Sequence, residues 1–149
     1  MPSFRSLDSG EEAELDRYLI HAVELVPIME DKQEEGFLLL AAHFLLESIR
    51  SGDPLPAGVS KEEVTCWLGT LWGEELCRIA GWEWGYVELD NGFSGAAVVE
   101  RDRRMLCFPI NCIHGWLKKD ATNQCMNLFT QLCQKPSPEI QPNSWVVMG

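Results

Sequence analysis

An α+β fold is the expectation, and three observations carry it. Apolar residues recur at helical spacing through most of the first eighty positions, the period switches to two after Gly81, and helical patterning returns beyond Pro109. Helices followed by a block of strands and then helices again argue segregated elements rather than alternating βα units. At 149 residues the chain has the size of one domain with a core of its own. Its expected parts are an acidic helical segment over 1–58, a helix plus meander over 59–118, and a C-terminal helix and tail over 119–149.

The first helix is expected from Ser9 as N-cap, with Glu11 and Glu12 in the first turn where the helix dipole favours acids. Leu15, Leu19, Ala22, Val23 and Val26 make its apolar stripe, and Pro27 ends or kinks it. A second helix is expected from about Lys32 to Ser51. Phe37, Leu38, Leu40, Ala41, Phe44, Leu45 and Ile49 give it an apolar face wide enough for a central position. Gly52 stops it, and "SGDPLPAGVS" reads as a loop.

The third helix opens on "SKEE", a capping box of Ser60 and Glu63, and runs to Ala80 before stopping at Gly81. Val64, Leu68, Leu71, Trp72, Leu76 and Ile79 form its core stripe. A second stripe holds only small residues: Cys66, Gly69 or Thr70, Gly73 and Cys77. Each interior glycine costs about 1 kcal/mol against alanine. That cost is intelligible where another backbone, or a ligand, lies against the helix; close packing is the expected reason.

After Gly81, Trp82, Trp84 and Tyr86 fall on one strand face and Glu83, Gly85 and Val87 on the other. "LDNGFSG" is a turn, and "AAVVE" and "RMLCFPI" read as two further strands of an antiparallel meander, the last closed by Pro109. "NCIHGWLKK" reads as a short helix capped by Asn111. A last helix is expected from about Thr122 to Cys133, with Cys125, Met126, Leu128, Phe129 and Leu132 on its apolar side. "QKPSPEIQP" is an extended linker, and "SWVVM" is placed as a final strand at a sheet edge. Four of the six tryptophans lie between Val64 and Leu89, which marks that passage as the place where the third helix packs on the meander.

Charge narrows the function classes. The net charge is −11, with 12 acidic and 4 basic side chains over residues 1–60 and 11 against 8 over the remainder. Nucleic acid is disfavoured as a partner, because phosphates need a basic patch. A membrane span is disfavoured as well, since the longest apolar runs fall short of the roughly 18 residues it needs. The N-terminus turns acidic at once and carries no apolar signal core, so a cytoplasmic protein with reduced cysteines is expected.

Motifs for chemistry are absent. Cys107, Cys112 and His114 fall within eight residues, but C-x4-C-x-H is not a standard zinc spacing. A fourth ligand would have to come from Cys125 or Cys133. A cysteine nucleophile with His114 as base lacks a third, orienting residue. His21 and His43 lie inside helical patterns, as structural histidines do. Neither "GFSG" nor "GTLWG" has the lysine or the strand-to-helix context of a phosphate loop. No catalytic residue, metal or cofactor is therefore expected.

The passage "LGTLWGEELCRIAGWEWGYVELDNG…RMLCFPINCI" joins a helix with L-G-x-x-x-G-E, a Trp-rich strand and a strand closing in Phe-Pro. In these features, from about Glu62 to Lys118, the chain resembles a family of small bacterial proteins classed as a domain of unknown function (number 3806). The resemblance implies a bacterial origin and carries no catalytic residues over. Small acidic bacterial proteins without a catalytic motif also look similar to the immunity proteins of toxin systems, which is an analogy and not a derivation.

The expected function is accordingly non-catalytic protein binding, most concretely an immunity protein that neutralises a basic toxin. The candidate contacts are Glu11, Glu12, Asp16, Glu34 and Glu35 on the first two helices, and an exposed aromatic among Trp82, Trp84 and Trp116. A small-ligand protein or enzyme is the alternative, with a pocket between the glycine-bearing helix and the sheet that uses Glu74, Glu75 and His114. A third reading is a subunit or adaptor of a larger assembly. As a free protein the chain would be a monomer, or a homodimer paired through "SWVVM".

Overall fold

The computed structural model describes residues 2–25, 43, 46–52, 54–55, 58–118, 124–133 and 140–148. Glu34, Glu35 and most of the expected second helix lie outside these residues. Its last turn, residues 46–50, is helical, with Leu46 buried in the core.

The fold is α+β. In chain order the described elements are strand β1 (Ser3–Arg5), helix α1 (Ser9–Leu25), helix α2 (Lys61–Ala80), strand β2 (Glu83–Glu88) and strand β3 (Ser94–Val99). Strand β4 (Met105–Cys107), helix α3 (Pro109–Lys118), helix α4 (Gln124–Cys133) and strand β5 (Val146–Met148) follow. One mixed sheet holds all five strands in the order β1-β2-β3-β4-β5. The antiparallel meander expected of β2, β3 and β4 is present, in a register that sets Trp84 opposite Val98 and Val98 opposite Cys107. Both sheet edges come from the chain ends. β5 joins β4 in parallel, and β1 joins β2 antiparallel with Phe4 opposite Val87. β1 was not expected, because three residues are too few to show a period.

α2 is the centre of the molecule, packed against α1, α3, α4 and strands β2 and β3. Its ends are set locally. The Ser60 hydroxyl accepts from the Glu63 amide at 3.1 Å, the Glu63 carboxylate receives the Ser60 amide, and Gly81 closes the helix in the left-handed region at φ +76°. Val64, Leu68, Leu71, Trp72 and Leu76 are buried, with Trp67 and Trp82 beside them. The small-residue stripe does what close packing requires. A Cβ on Gly69 would stand 2.6 Å from the Cα of Ile110, and one on Gly73 would stand 2.5 Å from the Trp84 ring. α3 and the Trp84 indole occupy that space.

The sheet buries both faces. Val98, Met105 and Cys107 point into the helical core. Val87, Ala97, Val99, Leu106 and Phe108 form a second, smaller cluster on the other face, joined by Phe4, Leu89 and Trp145. The Phe4 ring lies over Gly85, where a Cβ would meet it. The guanidinium of Arg103 sits 4.1 Å above that ring and pairs with Glu83 at 2.8 Å.

The starts of α1, α3 and β2 differ from the sequence reading. α1 is capped by Asp8, one residue earlier than expected. Its carboxylate accepts from the Glu11 amide at 2.8 Å, and the Glu11 carboxylate receives the Asp8 amide at 2.9 Å. Aspartate and glutamate thus form the reciprocal box, and Ser9 becomes the first helical residue. Pro109 opens α3 rather than merely closing β4, because a first-turn residue needs no amide hydrogen and proline presets its φ. Asn111 is therefore inside the helix, and Cys112 donates its amide to the Phe108 carbonyl at 3.0 Å. β2 begins at Glu83, leaving Trp82 before the strand and buried in the helical core. Among the described residues no helix is long and apolar enough to cross a membrane.

Candidate acidic cleft

α1 packs on α2 so that Glu12–Leu19 of α1 and Thr70–Glu74 of α2 frame a cavity of about 290 Å³. Glu12 and Asp16 are four residues apart and share one face of α1, as i,i+4 pairs do. Leu15 and Leu19 supply the apolar wall between that face and the core. From α2 come Thr70 and Glu74, again four apart, and β2 contributes Trp84. Ser6 and Leu7, in the loop that follows β1, also line the cavity.

Each wall has a local cause. Thr70 donates its hydroxyl back to the Cys66 carbonyl at 2.8 Å, so that donor is committed within the helix. Trp84 fits beside α2 because position 73 is glycine, and its indole Nε1–H donates to Glu74 Oε2 at 3.1 Å. That bond holds both the indole and the carboxylate at the cleft. Among the described residues, the side-chain carboxylates of Glu12 and Asp16 have no hydrogen-bond or ion-pair partner, although both residues line the same cavity.

Three carboxylates and an aromatic side chain around a concavity match an ammonium or a guanidinium. The carboxylates supply charge-assisted hydrogen bonds, and the indole supplies a quadrupole for a cation. They do not converge on a point. Among the described residues, no group of three His, Cys, Asp or Glu side chains is placed to hold a metal ion.

The cleft joins two sets of residues that the sequence reading kept apart. Glu12 and Asp16 were expected on a docking face and Glu74 in a pocket; they line one cavity. The other candidates sit elsewhere. Glu11 accepts from both terminal nitrogens of Arg5, at 2.7 and 2.9 Å. That guanidinium, with the Asp8 amide, pulls its carboxyl down to about 2 and ties β1 to α1. Glu75 is fully buried and bidentate with Arg78 at 2.9 and 2.8 Å. His114 is exposed on α3 and does not reach the cleft.

Trp116 is a correction. It is only 6% exposed and packs edge to face on Trp72 with ring centroids 5.6 Å apart, because α3 turns its apolar side toward α2. Trp82 is buried too, which leaves the half-buried Trp84 as the aromatic of that set at the surface. His21 stacks on Trp67 at 4.8 Å between ring centroids. Leu15, Leu19 and Thr70 were not singled out as site residues. Their only sequence signal is the i,i+3 and i,i+4 spacing to Glu12, Asp16 and Glu74, and core residues share that spacing.

No protein-family model, no curated protein and no solved structure matches this chain.

Proposed function

We propose that this chain is a non-catalytic, cytoplasmic protein-binding protein that receives a lysine or arginine side chain of a basic partner in the cleft between α1 and α2. The observation that carries the reading is the pair of unpartnered carboxylates, Glu12 and Asp16, set beside Glu74 and Trp84 in one cavity. The net charge of −11 supports it by speeding the approach of a basic surface. An immunity protein that neutralises a cognate basic toxin by direct contact is the concrete form of this function. The resemblance to the bacterial domain of unknown function is consistent with it.

The test co-expresses the tagged chain with the products of its neighbouring genes, and compares the wild type with an E12Q/D16N/E74Q triple variant. The expected result is a stoichiometric complex with one basic protein that weakens as salt rises and is lost in the triple variant. A complex that survives the triple variant unchanged refutes the role of the cleft.

A small cationic ligand is the second reading, favoured by the indole of Trp84 in the cavity wall. A change in the Trp84 indole resonance with arginine or a polyamine, and none with any neighbouring gene product, would favour it. An adaptor or homodimer is the third. β5 is an edge strand, with Val146 38% and Val147 49% exposed, and light scattering on the purified chain decides it.

A further inference from the structure

Cys107 ends β4 and Cys112 lies in the first turns of α3. The turn through Phe108 and Pro109 folds helix back on strand, and the two sulfurs come within 3.3 Å of each other. Cys107 is wholly enclosed. Cys112 lines a second cavity of about 260 Å³, walled by Phe93, Phe108, Asn111 and Met148. Of the pair, Cys112 lines that cavity and Cys107 does not. The two thiols share a hydrogen bond in which either sulfur can be the donor. This hydrogen bond lowers the Cys112 thiol and raises that of Cys107, which burial raises further. The other partly buried thiols run the opposite way: burial pushes Cys77 up to about 12 and Cys66 upward.

We propose that Cys107 and Cys112 form a hydroperoxide-oxidisable dithiol, with Cys112 as the attacking sulfur and Cys107 as the resolving one. In the first step the Cys112 thiolate gives an electron pair to one peroxide oxygen. The O–O bond breaks, Cys112 becomes a sulfenic acid with the attacked hydroxyl, and the leaving alkoxide, or hydroxide from hydrogen peroxide, takes up one proton from solvent to give an alcohol or water. In the second step the Cys107 sulfur attacks the Cys112 sulfur. The S–S bond forms, the S–O bond breaks, and hydroxide leaves as water with the Cys107 proton. Two thiols lose two electrons and the peroxide gains them. The sulfurs need only close from 3.3 Å to the roughly 2.05 Å of a disulfide. The product would staple β4 to α3 beside Met148, whose carbonyl lies 3.9 Å from the Cys112 sulfur.

Both cysteines fall on the tryptic peptide 105–118, which makes the experiment direct. The reduced full-length chain is exposed to stoichiometric hydrogen peroxide, quenched with iodoacetamide and mapped by mass spectrometry. The expected result is that this peptide loses both alkylation sites and about 2 Da, reversibly with dithiothreitol, at least about tenfold faster than the exposed Cys133 reacts. In Cys107→Ser, Cys112 is expected to accumulate a sulfenic acid that dimedone traps, whereas in Cys112→Ser, Cys107 stays alkylatable. Peptide 105–118 remaining doubly alkylated while Cys133 oxidises overturns the proposal. That wild-type measurement decides the matter even if a serine in the core unfolds the chain.

Discussion

Replacing Gly69 by alanine tests whether α3 is seated on α2 by a backbone-to-backbone approach. The added Cβ would stand 2.6 Å from the Ile110 Cα and 2.8 Å from its amide nitrogen. Both atoms are main chain, so relief requires moving a helix rather than turning a rotamer. Overpacking costs about 1–3 kcal/mol, and a backbone neighbour places this site near the top of that range. Alanine's better helix propensity offsets about 1 kcal/mol. The net loss is about 2 kcal/mol, which for a chain of this length lowers Tm by roughly 4–8 °C. Gly115 is the control. It lies in α3 with nothing within 4 Å of a built Cβ, so Gly115→Ala is expected to gain about 0.5–1 kcal/mol. Urea unfolding followed by far-UV circular dichroism measures both, with the m-value held against the wild type. Gly69→Ala as stable as the wild type, or gaining as Gly115→Ala does, refutes the seating of α3 on α2.

Two further outcomes follow from the structure. Glu11 has its carboxyl pulled from the usual 4.5 down to about 2, so its contribution to stability is fully present above about pH 4.5 and is lost as pH falls toward 2. Acid titration of the wild type should show that loss, and Glu11→Gln should lack that part of the slope; identical pH profiles would contradict the Arg5–Glu11 tie. Trp116→Ala should cost about 3–5 kcal/mol by emptying the space beside Trp72, with Trp116→Phe milder. A well-folded Trp116→Ala variant that loses only partner binding would instead return Trp116 to the docking surface.

Much of the fold was legible because its signals are local. The α2 boundaries follow from a capping box at Ser60–Glu63 and a glycine at position 81, both short-range motifs whose geometry depends on adjacent residues. The β2–β4 meander followed from the change of period after Gly81 and the turn at Asn91–Gly92. The starts of α1 and α3 were misplaced by one and three residues, because several neighbouring residues can cap and packing selects among them. Trp116 was misassigned for a different reason: an aromatic beside charged residues looks the same whether its helix faces solvent or core.

The sequence by itself determined the α+β class, the central glycine-bearing helix, the meander and a net charge of −11, since periodicity, capping and charge are properties of neighbouring residues or of their sum. Only the tertiary structure decided that Glu12 and Asp16 share a cleft with Glu74 and Trp84, that Glu11 and Glu75 are committed to Arg5 and Arg78, and that Cys107 touches Cys112. Those pairings depend on how α1 crosses α2 and how tightly the turn at Pro109 folds. Helix crossing is set by the summed packing of many side chains, which no single stretch of sequence records.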